Sequence, residues 1–451
     1  MSATLPLLSS ASLETPLARR HQHAISRAQF LRHIHCVIDL LPPTQFVVNL
    51  CQDRYLFMVA FAAVGVNGQT NLLPSSRADL PLQQLTQNYP DSTVITDADL
   101  EQWLARQADH TTPAIPELPA RQLIAIAFTS GSTGRAKPHL KYWHALVGGA
   151  KQAQQRFGFN HQTQMVATVP PQHMYGLETS IMAPLVSGIS VHTSRPFFPE
   201  DVRVALSELP PSRILVTTPV HLQACVDAEL NWPAMDFVIS ATAPLSTTLA
   251  QQAEQCFSAP VREIYGCTEA GSIASRRTLD GDRWCLYEGF HLHANALSGA
   301  HLSEPVTLCD RLEICNTREF KLLGRSEDSV NIAGKRNSLA YLNHQINTIE
   351  GVVEGHFALP DEADGEISRL VAVVVAPTLS EPQILAELAR RLDPVFLPRP
   401  LIKVAQLPRN ETGKITRDAL LTLTSLPSAK ISPTSSPDPS LNPADRPEPP
   451  I

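Results

Sequence analysis

The sequence predicts an α/β protein: a large N-terminal domain of parallel or mixed sheets with helices, followed by a small, mobile C-terminal α+β domain. Short apolar runs rich in β-branched residues alternate with helix-like stretches through most of the chain. This alternation is typical of parallel sheets covered by helices. After "LLGRSEDSVNIAGKR" the pattern changes to helix, strand, helix, which suits a compact unit of about 100 residues.

Eight runs of the N-terminal domain have the length and composition of buried strands. They are QFVVNL, STVIT, LIAIAF, MVATV, ISVHTS, RILVTT, DFVIS and VREIY. The apolar run at 55–66 is too short to span a bilayer and predicts a buried helix. Residues 245–257 predict another helix, with Ser246 or Thr247 as its N-cap.

The domain boundaries follow from the same changes in composition. We expect an N-terminal domain at 1–325 and a C-terminal domain at 326–426, the latter with helices near 338–349 and 382–392 and a strand "RLVAVVVAP" between them. Residues 427–451 are rich in Pro and Ser and nearly free of apolar residues. Such a segment buries too little surface to offset its ordering entropy, so we expect a disordered tail.

Composition excludes several classes of protein. The chain has 451 residues, 43% hydrophobic and 18% charged, and a net charge of −7, which disfavours nucleic-acid binding. Its eight cysteines form no C-x-x-C pair, as expected for reduced thiols rather than a disulfide or zinc framework. The N-terminus lacks the pattern of a secretion signal. We therefore expect a cytoplasmic protein without membrane insertion.

The string "FTSGSTGRAK" at 128–137 directly follows a predicted strand. Glycine lets backbone N–H groups approach an anion closely, and hydroxyls and cations add further donors. Taken alone, the string also fits a polar surface turn. It is not a Walker A sequence, because Gly134 is followed by Arg135 rather than by Lys-Ser or Lys-Thr. This counts against a P-loop kinase or ATPase.

Two further segments carry groups suited to a nucleotide. In "EIYGCTEAGSIASRR", Tyr265 suits stacking on a purine, Thr268 a phosphate and Glu269 a magnesium ion. Taken alone, Thr-Glu is more simply the capped start of a helix. Asp310, fifteen residues before Arg325, suits the two hydroxyls of a ribose, although a single Asp in a turn is usually structural.

The segment "LPRNETGKITRDAL" places Lys414 after a glycine in a polar turn. Most such lysines are only solvated. Together, however, the four segments occur in an order that resembles the adenylate-forming superfamily of acyl- and aryl-CoA synthetases, peptide-synthetase adenylation domains and luciferases. "LLGRSEDSVNIAGKR" is similar to its interdomain hinge motif, and "VPPQHMYGLE" and "VISATAPLS" are similar to the segments beside its acyl pocket and adenine.

The resemblance implies roles for particular residues. Lys414, Thr268 and Glu269 would be catalytic, with Glu269 holding Mg²⁺. The ATP- and AMP-binding residues would be Thr129, Ser130, Gly131, Ser132, Thr133, Gly134, Lys137, Tyr265, Asp310 and Arg325. The acyl pocket would be formed by His173, Met174, Tyr175, Gly176, Ile239, Ala241, Ile264 and Ile273. Glu327 would be the hinge and Gly334 would lie on the path of the thiol.

The implied activity is ATP-dependent conversion of a carboxylic acid to acyl-AMP with release of pyrophosphate. The acyl group then passes to the thiol of coenzyme A or to the phosphopantetheine of an acyl carrier protein. The implied pocket is apolar. Peptide-synthetase domains use an acidic residue to hold the amino group of their substrate, and Met174 stands near that place here. The sequence therefore favours an aryl or fatty acid over an amino acid.

The chain also departs from the family pattern. Ala136-Lys137-Pro138 stands where Pro-Lys-Gly is usual, Ala241-Thr242 where two glycines are usual, and Asn331 replaces a common lysine. The replaced turn glycines and Asn331 support an alternative, a catalytically inactive relative that acts as a binding or scaffold protein. Because Glu269, Asp310 and Lys414 are all present, the sequence favours an active enzyme.

Overall fold

The computed structural model describes residues 3–74, 77, 79–106, 114–130, 136–325, 329–332, 335–360, 369–392, 394–409 and 415–424. Backbone contacts divide these residues into two units, one reaching Arg325 and the other beginning at Ser329. The predicted domain limits of 1–325 and 326–426 stay predictions. The predicted disordered tail at 427–451 lies outside the described residues.

The first unit contains both strands and helices. Its described strands are β1 (Thr4–Pro6), β2 (Pro16–Arg20), β3 (His23–Ser26), β4 (Phe46–Asn49), β5 (Thr70–Leu73), β6 (Ser92–Ile95), β7 (Glu117–Pro119), β8 (Leu123–Ser130), β9 (Ala136–Tyr142), β10 (Gln164–Ala167), β11 (Ser190–His192), β12 (Arg213–Thr217), β13 (Phe237–Ser240), β14 (Val261–Cys267), β15 (Gly271–Arg277), β16 (Arg283–Leu286), β17 (Phe290–His293), β18 (Ala296–Gly299), β19 (Val306–Thr307), β20 (Asp310–Ile314) and β21 (Glu319–Arg325).

The helices of this unit cover the sheets. They are α1 (Arg27–Ile38), α2 (Arg54–Val66), α3 (Asp79–Asn88), α4 (Asp97–Ala105), α5 (Trp143–Phe157), α6 (Met174–Leu177), α7 (Ala183–Ser187), α8 (Pro199–Ser207), α9 (Pro219–Asp227) and α10 (Thr247–Phe257). A π-helical turn, Glu178–Met182, joins α6 to α7. Helix α2 is buried along almost its whole length in the main apolar core.

Two sheets position the candidate site. One has the strand order β6-β4-β5-β8-β9, in which β9 alone runs antiparallel to its neighbour. The larger sheet has the order β20-β21-β16-β15-β14-β13-β12-β10-β11-β2-β3 and is parallel from β14 to β2. Parallel strands end at one edge of a sheet, where ligands of α/β proteins bind. Residues that follow β13 and β14 therefore lie at the same edge.

The second unit is α+β. Its described elements are β22 (Ser329–Ile332), β23 (Lys335–Ser338), α11 (Leu339–Asn347), β24 (Glu354–Ala358), β25 (Val371–Val375), α12 (Glu381–Ala389), β26 (Leu401–Lys403) and α13 (Arg417–Thr424). Strands β24 and β25 are antiparallel, and β25 and β26 are parallel. Leu342 and Ile346 of α11 and Ile384 and Leu388 of α12 pack in a core of their own.

The structure confirms the predicted fold class and all eight predicted strands of the first domain, which appear as β4, β6, β8 and β10 to β14. The helix predicted at 55–66 is α2, and the one at 245–257 is α10. All eight cysteines are free thiols, as expected. Among the described helices, none combines the length and the apolar character that crossing a bilayer requires.

The N-cap of α10 gives a test of the local structure. Ser246 is the cap, and its hydroxyl accepts a hydrogen bond from the backbone N–H of Leu249. We expect Ser246→Ala to lower the free energy of unfolding by about 1 kcal/mol, since one N–H of the first turn then loses its partner. Denaturant unfolding measures the change. Thr247→Ala, at the exposed next position, is the control; an equal loss in both variants would contradict the capping role.

Candidate functional site

The turn Thr268–Ala270, which joins β14 to β15, lies against the hairpin of β8 and β9. Lys137 Nζ is 3.7 Å and His139 Nδ1 is 3.6 Å from Glu269 Oε1. On its other side, His139 Nε2 is 3.0 Å from Thr129 Oγ1. The structure thus brings together the predicted residues Thr129, Lys137 and Glu269. His139, which links them, was missed by the sequence analysis.

The pairing of β8 with β9 explains this arrangement. Thr129 and Lys137 are direct partners across the antiparallel pair. Side chains alternate between the two faces of a strand, so Lys137, His139 and Lys141 project from the same face of β9. These residues are two positions apart along the strand, and this spacing was the signal in the sequence that could have identified His139 and Lys141.

Lys141 holds the turn in place. Its side chain is buried, with the residue 4% exposed, and Nζ donates hydrogen bonds to the carbonyl oxygens of Thr268 and Glu269, the latter at 3.3 Å. Burial lowers the pKa of Lys141, while the negative charges of Glu178, Cys267 and Glu269 oppose this. Because a buried ammonium group without acceptors is costly, the lysine and the turn constrain one another.

Glu269 is the exposed carboxylate of this group. Burial alone would raise its pKa, but its own backbone N–H and the charges of His139 and Lys137 outweigh burial and lower it. The carboxylate is therefore ionised at neutral pH, and its side chain is 43% exposed. Mg²⁺ in nucleotide sites is commonly held by one or two carboxylates together with phosphate oxygens. The residues present fit that ion, since the accessible, ionised carboxylate of Glu269 lies beside Lys137 and His139, two donors suited to phosphate.

A second group contains the predicted nucleoside residues. Tyr265 Oη donates to Asp310 Oδ2 at 2.6 Å. Asp310 and Arg325 are direct partners across β20 and β21. The Tyr265 ring packs against Trp284 and Phe320, each with its ring centre 5.7 Å away, and these contacts restrain its orientation. The structure thus brings Tyr265 next to Asp310, whose strand partner is Arg325.

The turn after β14 corrects one interpretation. Taken alone, Thr268 and Glu269 were expected at the start of a capped helix. That interpretation is wrong, because 268–270 form a tight turn between antiparallel strands. The reason is the β-bulge between Tyr265 and Gly266, together with Gly271 at φ +77°, which reverse the chain within three residues.

A small cavity lies between α5, the π-helical turn and strands β13 to β15 of the large sheet, with a volume of about 10 Å³. It is lined by Gly149, Ala153, Phe157, Phe159, Glu178, Thr179, Ala183, Ile239, Ile264 and Ser272. Two predicted pocket residues, Ile239 and Ile264, are among them. The wall also carries polar groups from Glu178, Thr179 and Ser272, which the sequence analysis did not identify.

The other predicted pocket residues do not line this cavity. Tyr175 Oη donates to the carbonyl oxygens of Thr217 and Ile239 at 3.1 and 3.2 Å. Gly176 packs so closely that a Cβ there would lie 2.0 Å from the carbonyl oxygen of Pro170. His173 precedes α6, Met174 is its first residue, and Ala241 and Ile273 are buried.

Nine predicted residues are described by their backbone alone or lie outside the described residues. Only the backbone is described for Ser130 and Arg325. Outside the described residues lie Gly131, Ser132, Thr133, Gly134, Glu327, Gly334 and Lys414. Their assignments stay predictions.

The turn after β13 contains a strained residue. Thr242 has φ +81°, in the left-handed region that β-branched side chains rarely adopt. This explains why glycine suits the position, as noted for the family pattern. It also shows that Thr242 is accommodated in the glycine-like conformation, so the turn itself is retained.

Comparisons with known proteins identify the family and the fold. The model of the family described as "AMP-binding enzyme" matches residues 42–293. A 4-coumarate–CoA ligase of Halorhodospira halophila is 28% identical over 304 residues, which cover 64% of this chain and 73% of the relative. A 2-succinylbenzoate–CoA ligase of Staphylococcus aureus strain MSSA476 is 24% identical over 338 residues, covering 66% of each chain.

Solved structures show the same fold. ATP-bound MatB from Rhodopseudomonas palustris superposes with a TM-score of 0.78 at 19% identity, over 92% of this chain and 97% of that one. O-succinylbenzoate coenzyme A synthetase (MenE) from Bacillus subtilis, in complex with ATP and a magnesium ion, superposes with a TM-score of 0.78 at 13% identity. The match covers 93% of this chain and 100% of that one. Because the family model matches more than half of the chain, this protein belongs to the AMP-binding enzyme family of the adenylate-forming superfamily.

Proposed function

We propose that this protein is an AMP-forming acid–thiol ligase, which activates a carboxylic acid with ATP and transfers the acyl group to the thiol of coenzyme A. The observation that carries the proposal is the convergence of Thr129, Lys137 and Glu269 at the edge of the large sheet. The Tyr265–Asp310 pair adds groups suited to a nucleoside. The names of the relatives, both CoA ligases, support the same reaction.

In the first half-reaction, a carboxylate oxygen of the acid attacks the α-phosphorus of ATP and the bond from that phosphorus to pyrophosphate breaks. Two anions must approach, so the site has to offset negative charge. Lys137 provides a cation whose side chain is 67% exposed and thus accessible to phosphate. Mg²⁺, held by Glu269, would supply further charge compensation when bound.

In the second half-reaction, the thiol attacks the acyl carbon of acyl-AMP, and AMP leaves. The relatives' names support coenzyme A as the acceptor. A carrier-protein phosphopantetheine is the second candidate, which competition between the two acceptors distinguishes. The predicted cytoplasmic location and the predicted thiol path at Gly334 stay predictions.

An aryl acid is favoured over a fatty acid. The cavity wall carries the rings of Phe157 and Phe159, flat surfaces suited to an aromatic ring. Both relatives are named for acids that contain an aromatic ring. An ATP–pyrophosphate exchange screen across benzoates, cinnamates and fatty acids tests the reaction and the acid class together. Absence of exchange with every acid would instead support an inactive, binding relative, and formation of ADP would support a kinase or ATPase.

We expect Glu269→Gln to lower ATP–pyrophosphate exchange by about 10² or more, because losing the carboxylate weakens Mg²⁺ and leaves phosphate charge uncompensated. Circular dichroism checks that the variant is folded. Glu200→Gln, at an exposed carboxylate of α8, is the matched control and should keep full exchange. Near-normal exchange in folded Glu269→Gln would refute the role of this carboxylate.

We expect Lys141→Met to lower exchange by about 10-fold to 10²-fold. The carbonyl oxygens of the turn that carries Glu269 would lose the two hydrogen bonds that the Lys141 ammonium group donates to them. Lys141 is a positioning residue, so the loss should be largest at limiting Mg²⁺ and partly recovered at high Mg²⁺. Lys151→Met, at an exposed lysine of α5, is the control. A loss of stability with an unchanged dependence on Mg²⁺ would indicate a purely structural lysine.

The family resemblance assigns Lys414 to the first half-reaction, where its compact cation would contact the carboxylate and the α-phosphate. We expect Lys414→Ala to lower adenylation by about 10² or more. The same variant, given synthetic acyl-AMP and the thiol, should form thioester at close to the normal rate. Equal damage to both half-reactions would contradict the assignment of Lys414 to the first half-reaction.

A further inference from the structure

A second, larger cavity lies against another face of helix α5 and has a volume of about 570 Å³. Pockets for small molecules commonly have volumes of about 300–1,000 Å³. Val147 and Gln154, seven positions apart on one face of α5, line this cavity, whereas Gly149 and Ala153 line the small cavity described above. Among the described residues, the two cavities share no lining residue, so the larger one is separate from the candidate site.

The walls of the larger cavity combine apolar side chains with hydroxyl groups. Leu8, Val147 and Val186 are apolar, and Ser9 and Ser187 carry hydroxyls. No Asp or Glu is among the described residues that line it. This lining suits a molecule with an apolar body and a head group that accepts hydrogen bonds, and it offers no carboxylate to a cation.

A buried arginine lies directly behind this wall. Arg27, the first residue of α1, is 0% exposed. Its Nη2 donates to Ser9 Oγ at 2.9 Å and to the carbonyl oxygens of Ser9 and Leu185 at 3.3 and 3.4 Å, all uncharged acceptors. Burial lowers the pKa of Arg27 to about 10, which leaves the guanidinium group charged at neutral pH. A buried charge is costly unless it is paired and hydrogen-bonded.

A second buried arginine of the same unit shows how the fold can satisfy such a group. Arg54 donates from Nη2 to the carbonyl oxygens of Ala167 and Val169 at 2.7 and 3.0 Å, and from Nη1 to Ser180 Oγ. In Arg27 only Nη2 is engaged, and Nε and Nη1 have no hydrogen-bond partner among the described residues. Arg27 therefore keeps both its charge and unused donors next to the cavity.

The two hydroxyls of the wall also have protons available. Ser187 is 7% exposed, and its Oγ has no partner among the described residues. Ser9 Oγ accepts a hydrogen bond from Arg27, so its own proton is left for another acceptor. A Cβ on Gly188 would lie 3.5 Å from Ser9 Oγ and 3.6 Å from Arg27 Nη1. Two hydroxyl donors and a positive charge thus gather around the Ser187–Gly188 segment of the wall.

We propose that the larger cavity binds a small organic anion with an apolar body, whose carboxylate or phosphate head accepts hydrogen bonds from the hydroxyls of Ser9 and Ser187. The negative head offsets the charge of Arg27, and the apolar body packs against Leu8 and Val147. Hydrogen bonds to an ionised group are about twice as strong as neutral ones, so the head carries much of the affinity. This proposal concerns binding and does not depend on the proposed ligase function.

Isothermal titration calorimetry on the full chain tests the proposal with a set of related probes. Octanoate and octyl phosphate have the same apolar body with different anionic heads, octan-1-ol has the body without charge, and inorganic phosphate has charge without the body. We expect saturable binding of at least one octyl anion, about 10-fold or more tighter than that of octan-1-ol. Inorganic phosphate should not bind saturably at the same concentrations. The two octyl anions distinguish a carboxylate ligand from a phosphate ligand.

Variants of the wall locate the bound anion. Ser187→Ala should weaken binding of the octyl anion by about 10-fold or more. It should not lower the thermal midpoint of the free protein, because the removed hydroxyl has no partner there. Ser190→Ala is the matched control and should keep the wild-type affinity: its hydroxyl is also buried and unpartnered, but Ser190 does not line the cavity. Arg27→Gln removes the charge and should bring the affinity of the octyl anion close to that of octan-1-ol.

Circular dichroism checks that each variant is folded. Equal affinities for octan-1-ol and the octyl anions would overturn the anionic head. An affinity that is unchanged in Ser187→Ala would show that the anion binds elsewhere, including the small cavity, and would overturn the site. Equal losses in Ser187→Ala and Ser190→Ala, or no binding of either octyl anion to the wild type, would also overturn the proposal. None of these results changes the ligase function, which ATP–pyrophosphate exchange tests separately.

Discussion

A buried ammonium group fixes the arrangement on which the rest of the site depends. Lys141 reaches from β9 of one sheet to the carbonyl oxygens of the turn after β14, in the other sheet of the same unit. Glu269 of this turn lies within 4 Å of Lys137 and His139. Because an ammonium group without acceptors cannot stay buried cheaply, the two sheets cannot shift past one another here without losing stability. A purely hydrophobic contact between the two sheets would tolerate small relative displacements, whereas the hydrogen bonds of Lys141 do not.

Much of this arrangement follows from the sequence. The strands were predictable because fully buried strands are short, apolar and β-branched, as in "RILVTT" and "DFVIS". The N-cap of α10 was predictable because a Ser at that position satisfies a local N–H group. Tyr265, Glu269 and Asp310 were found through motifs rather than through physics, and the Tyr265–Asp310 bond shows that two of those motifs meet.

The residues that were missed depend on long-range contacts. Glu178 and Ser272 are 94 positions apart, and Lys141 and Thr268 are 127 apart. In "KPHLKY" the alternation shows that His139 and Lys141 share a face, but charged residues on one face of a strand normally indicate solvent. Only the structure shows that this face is covered by the β14–β15 turn. The same limitation produced the expectation of an apolar pocket with few charges, because Glu178 lies next to an apolar run and its contact with Ser272 is a long-range one.

Three features that cost stability lie at one edge of the large sheet. Thr242 at φ +81°, the buried Lys141 and the buried Glu178 each oppose stability, and a strained residue of this kind costs about 1–3 kcal/mol. Such features persist only where surrounding structure over-determines them, and here that structure is the parallel core of β10, β12, β13 and β14. A protein that had kept the fold only as a scaffold would gain stability by replacing Lys141 and Glu178 with apolar residues. Lys141 and Glu178 are both present, beside an ionised Glu269. This combination argues that the edge of the sheet is arranged for binding and chemistry rather than for stability.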